Sequence, residues 1–313
     1  RRMVDQTGGV TTPFLYFRGD AIFSDPHNSS VLPETSSGML VRGMPAAGLE
    51  YSYPVAITSP IGNQIIEPIA QLIVRPNELE ATYIPNEDAQ SLVFDANNLF
   101  DYDKFSGYDR VEGGTRANIG VRYSGSFSHG FGVSGTFGQS FQLAGVNSFA
   151  KATQYSTGSY SGLESDVSDY VAGLSLSTKT GFLASSGVRF DNENFEVNRF
   201  DGQILGIGGP LTAALTYAYI RSQPDLGIDG DRSELQAAAS LRLSENWRVF
   251  GSSRYDLISD EFVRHALGFA YDAEEFSVSF SYSNDLTTTP GDQTFYLRAG
   301  FRTLGEVGTS FGI

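Results

Sequence analysis

The stretch Phe276-Ser277-Val278-Ser279-Phe280-Ser281-Tyr282-Ser283 decides the fold. Successive side chains of an extended chain face opposite ways. Phe276, Val278, Phe280 and Tyr282 therefore share one face, and four serines share the other. The same period of two recurs along the chain. Val263, His265, Leu267, Phe269 and Tyr271 oppose Arg264, Ala266, Gly268 and Ala270. Leu211, Ala213, Leu215, Tyr217 and Tyr219 oppose Thr212, Ala214, Thr216 and Ala218. Ile119, Val121, Tyr123, Gly125 and Phe127 oppose Asn118, Gly120, Arg122, Ser124 and Ser126. Phe295, Leu297, Ala299 and Phe301 oppose Tyr296, Arg298, Gly300 and Arg302.

Hairpin-sized polar turns, such as Asp191-Asn192-Glu193, Ser244-Glu245-Asn246 and Asp272-Ala273-Glu274, separate these stretches. They alternate with longer connections, such as Ser222–Asp231 and Asn284–Asp292. Short turns at one end and long loops at the other are the layout of an outer-membrane barrel, and strands of about 10 residues suit a tilted crossing of its apolar band. The expected fold is all-β: a transmembrane antiparallel β-barrel with roughly 16–18 strands in this chain, at about 17–20 residues per strand and connection.

Composition excludes the main competitors. The 313 residues include 23 Phe, 16 Tyr and 35 Gly, only 18% are charged, the net charge is −15 and there is no Cys. So many aromatics do not belong to a disordered acidic chain. The acidic balance argues against a nucleic-acid partner. A disulfide scaffold is impossible, and no apolar run approaches the ~20 residues of a spanning helix. A soluble sandwich or solenoid would also alternate, but its strands average about five or six residues and its wet face carries more charge than Ser, Thr, Gly and Ala. Much of the acid sits in connections, at Asp101, Asp103, Asp109, Asp225, Asp229, Asp231, Asp260, Asp285 and Asp292. Tyr and Phe near strand ends are expected to form aromatic girdles.

No catalytic, cofactor or metal site is expected. The histidines are His27, His129 and His265, and none is spaced for a zinc motif or placed for a Ser-His-Asp triad. His265 reads as a packed residue on the apolar face. Gly130–Gly138 lacks the spacing of a phosphate-binding loop and reads as strand positions of close backbone approach. Asp95–Asp103 and Asp225–Asp231 do not follow the EF-hand order and read as turn acids. Arg1-Arg2 is followed by polar residues rather than an apolar leader, and the chain is read as a fragment of something longer.

Residues 76–113 break the period. The segment contains Pro76-Asn77-Glu78-Leu79-Glu80 and then Phe94-Asp95-Ala96-Asn97-Asn98-Leu99-Phe100, running on to Phe105-Ser106-Gly107-Tyr108-Asp109-Arg110. It is long for a connection. Its Phe, Tyr and Leu content predicts a folded loop that packs on the barrel or into its mouth.

Phe94, Asp95, Asn98, Leu99, Phe100, Phe105, Ser106, Gly107, Asp109 and Arg110 stand in an order that resembles a motif of the LptD (OstA/Imp) family of outer-membrane lipopolysaccharide-assembly proteins. Glu67-Pro68 is similar to a family strand, and Phe295 through Thr303-Leu304-Gly305 to its final strands, so the resemblance runs from about Gln64 to Ile313. It implies the C-terminal barrel portion of such a protein, preceded by a periplasmic jelly-roll domain and further strands outside this chain. The implied function is insertion of lipopolysaccharide into the outer leaflet of a Gram-negative outer membrane, through a lumen and a lateral seam with one lip within Thr294–Phe311. The implied partners are lipopolysaccharide, outer-membrane lipid, an LptE-like plug lipoprotein and a periplasmic Lpt bridge.

For the motif loop, plug contact or barrel assembly stands beside plain loop packing. Inward Arg298 and Arg302 are read either as lumen or seam contacts to anionic sugars or as the arginines of an ordinary porin wall. One departure is clear: the family usually carries cysteines near the position of Tyr271–Phe276, where this chain has Glu274 and Glu275. A disulfide-controlled assembly switch is not expected. The rival readings are a porin or substrate-specific channel and a surface adhesin-like β protein.

Overall fold

The computed structural model describes residues 2–24, 38–78, 84, 86–89, 92–150, 158–287, 291–302 and 305–312. His27, Leu79, Glu80, Thr303 and Leu304 lie outside them. Seventeen strands are found among the described residues. They are β1 (Met3–Val4), β2 (Val10–Ser24), β3 (Gly38–Ser52), β4 (Val55–Ser59), β5 (Gly62–Val74), β6 (Thr115–Phe127), β7 (Phe131–Ala144), β8 (Tyr170–Thr178) and β9 (Phe182–Phe190). There follow β10 (Val197–Gly208), β11 (Leu211–Ile220), β12 (Arg232–Arg242), β13 (Trp247–Asp256), β14 (Glu261–Asp272), β15 (Phe276–Asp285), β16 (Asp292–Phe301) and β17 (Gly305–Gly312). The described helical content is a single 3-10 turn at Pro224–Leu226, and no described helix is long and apolar enough to cross a membrane.

The chain divides into two compact units. The first comprises Arg1–His129, Val133–Leu174 and Gly187–Val197, the second Gly130–Gly132, Ser175–Ser186 and Asn198–Ile313. In the first, β2 pairs along its whole length with β3, the end of β3 pairs with β5, β4 folds back on β5, and β5 pairs with β6 from Gly62↔Phe127 to Val74↔Thr115, all antiparallel. In the second, β10 to β17 form an antiparallel meander in chain order.

Register in the second unit turns the sequence period into rows. Leu211, Leu241, Val249, Phe269, Phe280 and Leu297 lie directly opposite one another on successive strands. Four of them are exposed large apolar side chains at 39–47%, which suits hydrocarbon rather than water. The neighbouring row on the opposite face reads Arg242, Arg248, Ala270, Ser279 and Arg298. Aromatic rings collect where β13, β14 and β15 end at short turns: Trp247 meets Tyr271 at 5.1 Å, and Tyr271 meets Phe276 at 6.0 Å.

One expectation is corrected. Val263 does not share the face of His265 and Leu267. A bulge between Arg254 and Tyr255 pairs Arg264 with Arg254 but Phe262 with Tyr255, which leaves Val263 as an extra residue. An extra residue shifts the alternation, so Val263 is buried while Phe262 is exposed. Arg302 lies one residue past β16, which ends at Phe301, and its backbone N–H carries the β15–β16 pairing one step further by donating to Glu275 O at 3.0 Å.

If the exposed rows face lipid, Leu267→Arg should lower folding stability in lipid vesicles by about 2–4 kcal/mol, because it places a charge mid-strand in hydrocarbon. Urea titration in vesicles measures this. An effect near zero would place the row in water.

Candidate functional site

The connection 75–114 carries the motif residues and has no regular secondary structure among its described residues. Its first half is shaped by a side-chain-closed turn, the chemistry Asp and Asn bring to turns. Asp95 Oδ1 accepts from the Asn97 and Asn98 backbone N–H groups at 2.7 and 3.2 Å. Asn98 Oδ1 accepts from Asp95 N at 2.9 Å, and its Nδ2 donates to Val93 O at 2.7 Å. The turn points Phe94 and Leu99 inward. Both are fully buried with Phe149 and Leu163 of the second long connection, 145–169, and Val171 of β8, with Phe100 and Phe105 packed around them. The Phe105 and Phe149 rings lie 4.7 Å apart.

Leu99 seats over two facing glycines of β6 and β7. A Cβ on Gly120 would stand 3.2 Å from Leu99 Cδ2, and one on Gly138 only 2.6 Å. The second half of the connection is closed by paired acids. Asp109 Oδ2 accepts from Glu87 N and Asp88 N at 2.7 and 3.1 Å, and Asp88 accepts from Tyr108 N and Asp109 N at 2.8 and 2.9 Å. Gly107 is required in this bend, since a Cβ there would be 2.5 Å from the Asp88 carbonyl carbon. Ser106 lies beside it, and buried Arg110 donates from Nη1 to Ile84 O at 2.9 Å.

Beneath the apolar cluster lies a buried ionic one. Glu112 Oε1 is 2.6 Å from Arg116 Nε and 3.1 Å from Arg75 Nη1. Glu112 Oε2 accepts from Lys104 N at 3.2 Å. Lys104 Nζ donates to Asn118 Oδ1 at 3.4 Å, the Asn118 amide donates to Gln71 Oε1 at 2.7 Å, and Gln71 Nε2 donates to Phe100 O at 3.0 Å. Ser140 Oγ donates to Asn118 Oδ1 at 2.6 Å, and Arg116 Nη2 donates to Asn147 Oδ1 at 3.1 Å. The Arg116 guanidinium also sits 5.2 Å over the Phe149 ring. Burial alone would raise the Glu112 carboxyl, but Lys104, Arg75 and Arg116 outweigh it and hold the group at about 2. Burial lowers the Lys104 ammonium to about 8. Burial, reinforced by the Glu112 charge, raises Asp103 to about 6.

A second polar contact fixes the connection to the β2–β3 hairpin. Arg42 holds Asp20 at 2.6 Å and donates to Tyr108 O and Asp109 O at 2.8 and 3.1 Å. Arg18 donates to Arg110 O at 3.3 Å and also bonds Tyr108 O. Phe14 stacks on Tyr102 at 4.3 Å.

The structure thus gathers the motif residues into one folded connection. Arg298 and Arg302 are not among them: Arg298 lies in β16 with its guanidinium 5.8 Å over the Tyr296 ring, and Arg302 in the turn after it. Sequence reasoning missed Arg75, Lys104, Glu112 and Arg116, and the whole connection 145–169. The available signal was Arg116 and Asn118 on one face of a strand, a costly placement unless something covers and pairs them. Among the described residues no group of His, Cys, Asp or Glu is arranged to hold a metal ion.

An antiparallel all-β chain with outward apolar rows and a covered polar face is built as an outer-membrane β protein is built. A family model described as "LptD: LPS transport system D" matches residues 6–227 and 217–311. The chain belongs to the LptD family. Its members are outer-membrane β-barrel transport components of Gram-negative bacteria, and are not enzymes. No curated protein matches the chain. Among solved structures it is similar to variants of the Rhodopseudomonas blastica porin. A triple mutant of that porin is 10% identical with a TM-score of 0.39, covering 96% of this chain and 94% of that one. Another variant is 10% identical with a TM-score of 0.40, covering 97% of this chain and 100% of that one. Likeness of this size says nothing of what either protein carries.

Glu112→Gln should destabilise the protein by about 3–5 kcal/mol, because it leaves two buried guanidiniums without their carboxylate. Denaturant unfolding measures it. The pH dependence has a defined sign. Glu112 is depressed, so its contribution is present above its ordinary 4.5 and is lost as pH falls towards about 2. Asp103 is raised and runs the other way, losing its contribution as pH rises from 3.8 through about 6. The loss of stability below pH 4.5 should be smaller in the Glu112→Gln variant than in the wild type.

Proposed function

We propose that this chain takes part in inserting lipopolysaccharide into the outer leaflet of a Gram-negative outer membrane. The observation that carries the reading is the family match, which runs from residue 6 to residue 311. An amphiphile with charged sugars and many acyl chains needs a polar conduit for one end and a lateral exit for the other. A face of Ser, Thr, Gly and Arg supplies the first. A seam where two strands part supplies the second, provided its ladder is weak, since unpaired backbone is costly in lipid. In this reading residues 1–313 form the barrel portion with 76–113 as its structured loop, and a periplasmic jelly-roll domain of the same protein receives lipopolysaccharide from an Lpt bridge. The last strand, within Thr294–Phe311, forms one lip of the seam. An LptE-like lipoprotein fills the lumen and touches the loop of Phe94–Arg110. Arg298 and Arg302 meet anionic groups of the cargo.

Depletion of the full protein in its native cell tests this. Newly made lipopolysaccharide should stop reaching the cell surface and accumulate inside. Unchanged surface lipopolysaccharide, with lost uptake of small solutes, would replace the reading with a porin.

A further inference from the structure

The β4–β5 hairpin runs past the level at which the neighbouring β1–β2 hairpin turns. β2 and β3 stay paired down to Val10↔Ser52. There the chain of β2 turns away through 5–9, where Asp5 N donates to Gly9 O at 2.9 Å and Tyr53 Oη donates to Thr7 O at 2.9 Å. The line of β3 does not stop at that level. It runs on through Tyr53 and Pro54 into β4, which pairs with β5 from Val55↔Ile66 to Ser59↔Gly62. β5 is in turn paired with β6 over the same residues, down to Gly62↔Phe127. β4 is therefore a step in the sheet, and its five residues span about 17 Å.

Among the described residues β4 pairs with β5 alone. Register decides which groups its other edge offers. Residues of an antiparallel strand alternate between bonding one neighbour and bonding the other. Tyr53 N donates to Pro68 O at 3.0 Å, and Ser59↔Gly62 closes the hairpin. Odd-numbered residues of this line thus bond β5, and Ala56 and Thr58 turn their N–H and C=O groups to the free edge. Pro54, the next even position, has no N–H to give.

Apolar side chains frame this edge. Val55 and Ile57 continue the outward row of Leu49, Tyr51 and Tyr53, all 36–46% exposed. Residues 54–66 carry no charge. Neither hydrocarbon nor water suits such an edge. In hydrocarbon the Ala56 and Thr58 backbone groups have nothing to bond. In water a bare apolar edge invites chance pairing, and proteins defend such edges with charge, proline or a bulge. β4 has none of these within its five residues. An extended chain suits it, because a strand supplies donors and acceptors at the two-residue repeat of Ala56 and Thr58.

We propose that the free edge of β4, at the short-turn rim, is a docking site for an extended segment of a partner protein, which adds as a further strand beside Ala56 and Thr58. The segment is uncharged where it docks. It places apolar residues beside Val55 and Ile57, and small or hydroxyl residues beside Ala56 and Thr58. The site is independent of what the protein transports.

The full chain in detergent micelles is titrated with a fluorescent peptide of alternating Val and Thr, with a Lys at each end. The wild type should bind it saturably. A twin peptide methylated on every backbone nitrogen is more apolar but has no donors, and should bind at least tenfold more weakly. Ala56→Pro with Thr58→Pro removes both edge donors and leaves the β5 ladder alone, since neither N–H bonds β5. It should weaken binding at least tenfold with the folded gel band unchanged. No saturable binding up to millimolar peptide overturns the proposal. Equal binding of the two peptides, the mark of adsorption to apolar surface, overturns it, and so does unchanged binding by the folded double variant. If the double substitution unfolds the chain, the methylated peptide decides alone. The chain has no Cys, so Ile57→Cys gives a single thiol. Ready disulfide dimers of that folded variant would make a second copy the occupant and overturn the proposal as well.

Discussion

Backbone N–H and C=O groups in hydrocarbon have no water to bond, so each must find a partner within the protein. The rest of this structure follows from that constraint. Pairing is continuous from Val10↔Ser52 to Ser24↔Gly38 between β2 and β3, and from Gly62↔Phe127 to Val74↔Thr115 between β5 and β6. Once the backbone is satisfied, one face is free to be oily, and the row from Leu211 to Leu297 exploits this. The other face is then free to be wet, and its charges need water or partners.

On β5 to β7 those partners come from the chain itself. Arg116 is fully buried, which an isolated guanidinium does not tolerate. Glu112 answers it within the same segment, and Arg75 completes the arrangement at the end of β5. The described parts of the two long connections therefore share an apolar core with each other and with Val171, and meet the strands through buried ion pairs, hydrogen bonds and a few apolar contacts. The motif that links the chain to its family lies in the first of them, with Phe94 and Leu99 in the shared core and Asp95, Asn98, Gly107 and Asp109 in its turns.

Alternation made the strands legible because a period of two needs only local sequence. Phe276 to Ser283 could be placed face by face, and the register agrees. Val263 escaped because a bulge is a property of two strands together, and nothing in Val263-Arg264-His265 announces it. The long connection was legible as folded from its Phe and Leu content. Its ionic floor was not, because Glu112 meets Arg75 and Arg116 only after β5 and β6 have paired. The contribution of connection 145–169 to the core, Phe149 and Leu163, is visible only in three dimensions.

The meander from β10 to β17 leaves its turns unequal. Gly209-Pro210 joins β10 to β11 with two residues, with Gly209 at φ +55°, and 243–246 and 273–275 are nearly as tight. Such turns have no slack, and a single inserted residue would slip the register and flip a strand's faces. The connections 221–231 and 286–291 are under no such restraint. Added residues are therefore borne at 221–231 and 286–291, and not at the tight turns 209–210, 243–246, 257–260 and 273–275.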